Sequence, residues 1–360
     1  MTGVQTCALP IYSEKSRTEI SSAVVSLGAD EIDQVTVNSV QDMLVGKVAG
    51  VQVQAASGQP GEASDIRIRG VGSVFSPQKP LVVVDGIIGG SYNPNDIESI
   101  SVLKDAGATG LYGSAAAAGV ILIKTKSGKP GTSEIKALVR TGLKFPEFGN
   151  FELMNTEQLY SYHEMLYSPA LFPTARPDSL LNYEYNWLNN TYNQASITSV
   201  NLSARGGTEK TSYYLSMDYM DDEGTLRGTD YSRLSLRSNI DYQLNDRVKI
   251  GTDFTFNYGS STYANWNMAE GVYRLQPWDQ PTNAAGEYIY DVAAAGWLSN
   301  LVSNPYHSEQ YNREGGYGLD GSANVTLEIK LADWLKIDSW TTASLGHGKY
   351  EAIYSPKSYE

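Results

Sequence analysis

Two arginines alternate with isoleucine in Ile66-Arg67-Ile68-Arg69, so a strand there would turn one apolar and one cationic face. Fixed cations in such a row can pair with carboxylates on a facing surface. Plain solvation fits the pattern equally well, because an exposed pair is worth only ~0–1 kcal/mol. Downstream, Asp85-Gly86 ends the apolar run Leu81 to Val84 and reads as a turn pair, not a ligand site. Lys104, Asp105 and Tyr112 follow in the same stretch, Tyr112 as an anchor of a small core. Trp187, Trp266, Trp278 and Trp297 lie in segments without strand patterning. Their indoles could stack on sugar rings or anchor at a membrane interface.

Bond-making chemistry finds no constellation. His163, His307 and His347 are far apart and none has an i, i+4 partner, so a zincin-type metal site is excluded. The acidic run Asp221-Asp222-Glu223 lacks the twelve-residue calcium-loop pattern and reads as a hydrated loop. Gly107, Gly110 and Gly113 are not spaced as G-x-G-x-x-G, and a strand-like run follows them where a phosphate loop needs a helix. No catalytic residue, metal or cofactor is expected. The net charge of −13 argues against a nucleic-acid partner. The single cysteine, Cys7, excludes a disulfide framework. The 25 tyrosines suit surfaces that are apolar at the ring and wet at the hydroxyl.

The elements that would position these groups fall into two kinds. Residues 39–129 read as a compact α+β unit: a helix capped by Ser39 through Met43 and Leu44, then short β-branched runs broken by glycine and proline. Ala23 to Leu27 reads as a leading strand, and Ile97, Ile100 and Leu103 are spaced as a short helix. From residue 130 the pattern changes to long alternating strands at 134–144, 196–205, 210–220, 231–242, 247–258, 318–330 and 334–345. Each is roughly the nine to eleven residues that a tilted strand needs to cross a bilayer. Their connections alternate short and long, as in outer-membrane barrels; a sandwich has no reason to sort its loops by end. Residues 1–11 resemble the translation of a sequencing-library adapter and are set apart from fold reasoning, with 12–38 as a linker and leading strand. Both ends of the chain read as cut.

Gln41 to Val53, Ile66-Arg67-Ile68-Arg69-Gly70, Val83-Val84-Asp85-Gly86, Asn95 to Ile100, Val102 to Ala106 and Tyr112-Gly113-Ser114 together resemble the TonB-dependent outer-membrane transporters. Within them the resemblance is to the SusC/RagA family of Bacteroidota, and Gly207 to Thr211 is similar to that family's early barrel hairpin. Ala115 and Ala118 stand where the family usually has Arg and Asn.

The resemblance implies an α+β plug domain (39–129) followed by transmembrane antiparallel β-barrel strands (130–360), roughly seven or eight of about 22, so an incomplete barrel. It implies import of oligosaccharides or peptides with a SusD-like lipoprotein partner, energised by TonB–ExbB–ExbD through an N-terminal box that this chain does not show. The location implied is the outer membrane, with the plug reached from the periplasm; this piece expressed alone is not expected to support uptake. Arg67, Arg69, Asp85, Lys104, Asp105 and Tyr112 become candidates for plug–barrel contact, the arginines facing carboxylates such as Asp218, Asp241 or Asp253. Trp187, Trp266, Trp278 and Trp297 become candidates for substrate contact. Two other readings stay open: a siderophore or cobalamin receptor of the same class, and a secreted glycan-binding β protein with no transport role and no plug.

Overall fold

A computed structural model describes residues 6–9, 13–16, 24–28, 31, 39–54, 57–68, 70, 79–104, 109–264, 266–299 and 303–358. At the N-terminal end β1 (Thr6–Leu9) pairs antiparallel with β2 (Ser13–Ser16).

The head of the chain is built on a five-stranded sheet. Its strands are β3 (Val24–Gly28), β6 (Leu81–Val84), β7 (Ile87–Ile88), β8 (Ile97–Leu103) and β9 (Val120–Thr125), in the order β3-β8-β9-β6-β7. Only β6 and β9 run parallel. Beside it lie α1 (Val40–Met43) and the antiparallel pair β4 (Val51–Gln54) and β5 (Asp65–Ile68). Ser39 caps α1, its hydroxyl oxygen accepting from the Asp42 N–H at 3.3 Å. Leu44, Val48, Ile66, Ile97, Ile100 and Ile121 close one apolar core between the helix, the pair and the sheet.

Residues 97–103 correct the helix expected there. Only Pro94–Asp96 is helical, as one 3-10 turn, and the rest is strand. The i, i+3 spacing misleads because β8 is central, between β3 and β9. Residues 100–103 are all buried, Ser101 included, so no alternation of buried and exposed positions marks the strand there.

The remainder is one seven-stranded sheet in sequence order: β10 (Ser133–Lys144), β11 (Ala195–Gly207), β12 (Thr211–Glu223), β13 (Asp230–Asn245), β14 (Val248–Tyr263), β15 (Arg313–Ala332) and β16 (Leu335–Ile353). Every pairing is antiparallel. At 12 to 20 residues the strands outrun the expected span. The sheet is not closed, since β10 and β16 do not pair with each other. Burial alternates cleanly on β12: Leu215, Met217 and Tyr219 are exposed, while Tyr214, Ser216 and Asp218 are buried against the head. Apolar residues thus point away from the plug and polar ones toward it, the pattern of a barrel wall. Among the described residues no helix is long and apolar enough to cross a membrane.

The long connections, 145–194 and 264–312, gather at one end of the sheet and fold together. They carry α2 (Thr156–Leu166), α3 (Phe172–Ala175), α4 (Trp187–Thr191), α5 (Trp266–Gly271) and α6 (Pro305–Tyr311) around an apolar cluster of their own.

Candidate functional site

The Asp85-Gly86 pair turns β6 into β7, and both residues hold left-handed backbone, with φ of 47° and 86°. A two-residue hairpin of type I′ requires that conformation, and Asp-Gly tolerates it. The turn brings the Asp85 carboxylate to the end of β9. Its Oδ1 accepts from the Thr125 N–H at 2.9 Å, and its Oδ2 from the Thr125 hydroxyl at 2.6 Å.

From the wall, Arg237 on β13 reaches the same group, its Nη2 donating to Asp85 Oδ2 at 3.0 Å. That nitrogen also lies 3.3 Å from Asp253 Oδ1 on β14 and donates to Thr125 Oγ1. Nη1 donates to the Thr255 hydroxyl at 3.1 Å, and Asn239 holds Asp253 Oδ1 at 2.6 Å. The Arg237 side chain is only 5% exposed, so a guanidinium withdrawn from water joins one plug carboxylate to one wall carboxylate. Charge-assisted bonds of this kind are roughly twice as strong as neutral ones.

A second contact is made by the turn Asn93-Pro94-Asn95-Asp96. Asn93 caps it, accepting from the Asn95 N–H at 2.9 Å, and Pro94 takes the first helical position. The turn drives Asp96 against β12, where Tyr214 donates to Oδ1 at 2.7 Å and Ser216 to Oδ2 at 2.8 Å. Neighbouring Asn95 donates to Asp218 Oδ2 at 2.7 Å and accepts from Arg140 of β10 at 2.8 Å. Asn201 also donates to Asp218 Oδ2, at 3.3 Å, and Arg233 Nη2 sits 3.6 Å from Oδ1. Tyr214, Ser216 and Asp218 meet the turn together because alternate residues of a strand share a face. Asp96 is 1% exposed. Burial pushes its carboxyl above the usual range, against the pull of the Tyr214 and Ser216 hydroxyls and the Arg237 charge.

The apolar clusters respect this seam. Two contain head residues alone and the third contains loop residues alone, so among the described residues none is shared between plug and wall.

Among the residues singled out from sequence, Asp85 meets the wall through Arg237. Arg67 stays in its own strand, Nε 3.3 Å from Asp65 Oδ2. Lys104 donates to the Ala49 carbonyl inside the plug, and Tyr112 packs on the cluster of Val83, Leu103 and Val120. Arg69 and Asp105 lie outside the described residues. Of the three wall carboxylates considered for the arginines, Asp218 meets Asn95, Asp253 meets Arg237, and Asp241 meets Lys249 at 3.2 Å.

Trp187 and Trp278 are 1% and 4% exposed, donating to the Gln276 carbonyl at 3.1 Å and to Gln276 Oε1 at 2.8 Å. Trp297 donates to the Gln280 carbonyl at 3.2 Å and packs edge-on against Trp187. These three indoles tie the long connections together; the Trp266 side chain lies outside the described residues. Asn95, Asp96, Thr125 and Arg237 escaped the sequence reading. The signal for Arg237 was its place among the polar positions of a strand whose other face is Leu234 and Leu236.

Known proteins carry the same organisation. Residues 16–120 match the family described as TonB-dependent Receptor Plug Domain. The chain is 32% identical over 337 residues to TonB-dependent receptor P26 of Formosa agariphila, covering 89% of this chain and 34% of that protein. It is 30% identical over 381 residues to TonB-dependent receptor SusC of Bacteroides thetaiotaomicron, covering 97% of this chain and 37% of that one. It therefore spans about a third of the length of these relatives. In fold it matches a chain of the RagAB peptide importer in its open-open state, with TM-score 0.85, 23% identity, and coverage of 99% of this chain and 44% of that one. Plug, strand order and relatives together make this chain a SusC/RagA-like member of the TonB-dependent transporters.

Proposed function

We propose that the protein imports oligosaccharides or peptides across the outer membrane, energised by TonB–ExbB–ExbD and assisted by a SusD-like lipoprotein. The observation that carries this reading is the chemistry of the seam. Hydrogen bonds and ion pairs hold the plug to the wall, and among the described residues no apolar cluster spans the two. Groups in such a seam can exchange their partners for water when the plug is pulled from the periplasm, so blocked and open arrangements differ by a modest free energy. A shared apolar core would resist that motion. The cargo class is supported by the similar proteins, SusC and the RagAB peptide importer. On this reading the apolar outer face of β12–β15 meets lipid and the short turns at 208–210, 246–247 and 333–334 face the periplasm.

Deleting the gene from its host and supplying oligosaccharides or oligopeptides as sole carbon source tests the function. Growth on at least one of them should fall, and inactivating the energising complex should reproduce the defect. Undiminished growth on all of them would sink the proposal.

A further inference from the structure

One contact between plug and wall is neither a hydrogen bond nor an ion pair. Between β4 and β5, residues 57–62 turn at Gly58 and Gly61, both left-handed with φ of 76°. The turn is fixed from within. The Gln59 N–H donates to Ser57 Oγ at 3.1 Å, the Glu62 N–H to the Gln59 carbonyl at 3.3 Å, and the Ser57 hydroxyl to the Glu62 carboxylate. Pro60 is buried, and Gly61 is laid against the ring of Tyr231 on β13. A Cβ at Gly61 would overlap Cγ and Cδ2 of that ring and stand 2.9 Å from Cε2.

The ring has bare backbone on its wall side as well. Tyr231 shares the face of Arg233, Ser235 and Arg237, since alternate residues of a strand point the same way. Its phenol leans over the next rung, where a Cβ at Gly259 would come within 3.2 Å of Oη and 3.3 Å of Cε2. Arg233, opposite Gly259, donates to the phenol oxygen and lies 3.6 Å from Asp218 Oδ1. Tyr231 is thus a plate tied to the wall, and two glycines, one from each partner, leave it room. It stands apart from the polar seam. Asp222, its ladder partner, is four residues or about 13 Å beyond Asp218, and Arg237 is six residues or about 20 Å away on β13. Both distances run toward the end where the long connections gather.

We propose that the Tyr231 ring is the pivot of the plug, a positioning residue that keeps residues 57–62 on the wall while the polar seam opens. This rests on the import reading, in which the plug is pulled from the side of the short turns. The bonds of Asp85 to Arg237 and of Tyr214 to Asp96 lie nearer that side and pass to water one at a time. The ring contact has no bond to exchange. Its dispersion attraction is spread over two preformed faces and is kept until they part together. A plug held in this way tilts about its far end before it leaves the wall.

The test is electron–electron double resonance on the full-length transporter in stepped urea, in a Cys7→Ser background. One spin-label pair, Ala63→Cys with Asp230→Cys, spans the ring contact. The other, Lys124→Cys with Lys210→Cys, spans the seam; all four residues are exposed. In wild type the seam pair should separate at lower urea than the ring pair. Tyr231→Ala should bring the two midpoints together, while Tyr231→Phe keeps them apart. Gly259→Val crowds the ring without touching the plug, so it should also merge the midpoints, and it should add nothing once Tyr231 is replaced by Ala. It carries the test if Tyr231→Ala fails to assemble. A single midpoint in wild type, or an unchanged separation in Gly259→Val and Tyr231→Ala, overturns the pivot. The measurement uses neither cargo nor energising complex, so a failed pivot beside an intact growth defect leaves the import reading standing.

Discussion

The interior of the plug and its seam with the wall are built from opposite materials. Inside, Leu44, Ile97, Ile100, Val102 and Ile121 are sealed from water with no charge among them. At the seam, Asp85, Asn95, Asp96 and Thr125 meet Arg140, Tyr214, Ser216, Asp218 and Arg237. Apolar burial is non-directional and scales with the area removed from water, so a sealed core resists any motion that opens it. Hydrogen bonds and ion pairs are directional and exchangeable, each contributing about 0.5–3 kcal/mol net. The difference implies a plug that holds its shape while its hold on the wall can be undone.

The contrast breaks most sharply from the inside. Ile100→Ala or Ile121→Ala should cost the plug about 2–5 kcal/mol, because each leaves a cavity in a sealed core. The plug should then become sensitive to protease while the barrel stays in the membrane. An intact, resistant plug in both variants would mean that the wall, and not the core, holds it folded. Arg237→Ala attacks the seam instead. It leaves Asp85 and Asp253 without their shared cation, at about 2–3 kcal/mol, less than a fully buried pair because both carboxylates keep some access to water. Urea should release the plug from this variant earlier, with the protease resistance of the plug core unchanged.

Tyr214→Phe removes one donor from the buried Asp96 carboxylate and should weaken docking by about 1–3 kcal/mol. The same carboxyl predicts a pH response. Burial raises its pKa in the docked plug, so the docked state holds a proton that the released state gives up more readily. Its contribution is therefore full below the ordinary carboxylate pKa and is lost as pH rises through the docked value. Following urea release between about pH 4 and 8 should show docking tighten toward acid in wild type and change less in Asp96→Asn. Identical slopes would remove Asp96 from the account.

Much of this architecture was legible in the residues. The seven wall strands and their sorted connections follow from alternation that each strand carries by itself, as Leu215, Met217 and Tyr219 against Ser216 and Asp218 show. The Asp85-Gly86 turn was equally local. What escaped depends on tertiary partners. Ile97 to Leu103 carries no period-two signal because the strand is covered on both faces. The indoles of Trp187 and Trp278 looked available in open loops, yet the two long connections fold over them. Arg67 and Arg237 look alike in sequence, each a cation in an alternating strand. Arg67 finds Asp65 on its own strand, and only the packing of plug on wall brings Arg237 to Asp85.

That pair of arginines gives the smallest and most discriminating prediction. Arg67 and Asp65 are 38% and 34% exposed and sit two residues apart on β5, so water screens their attraction and the chain already holds them close. Arg67→Ala should change urea release of the plug by ~0–1 kcal/mol, below the shift given by Arg237→Ala. Combined with Arg237→Ala it should add independently, because among the described residues the two cations have no partner in common. A large loss from Arg67→Ala, or strong coupling between the two, would mean that the cationic face of β5 also grips the wall, and the seam would have to be redrawn to include it.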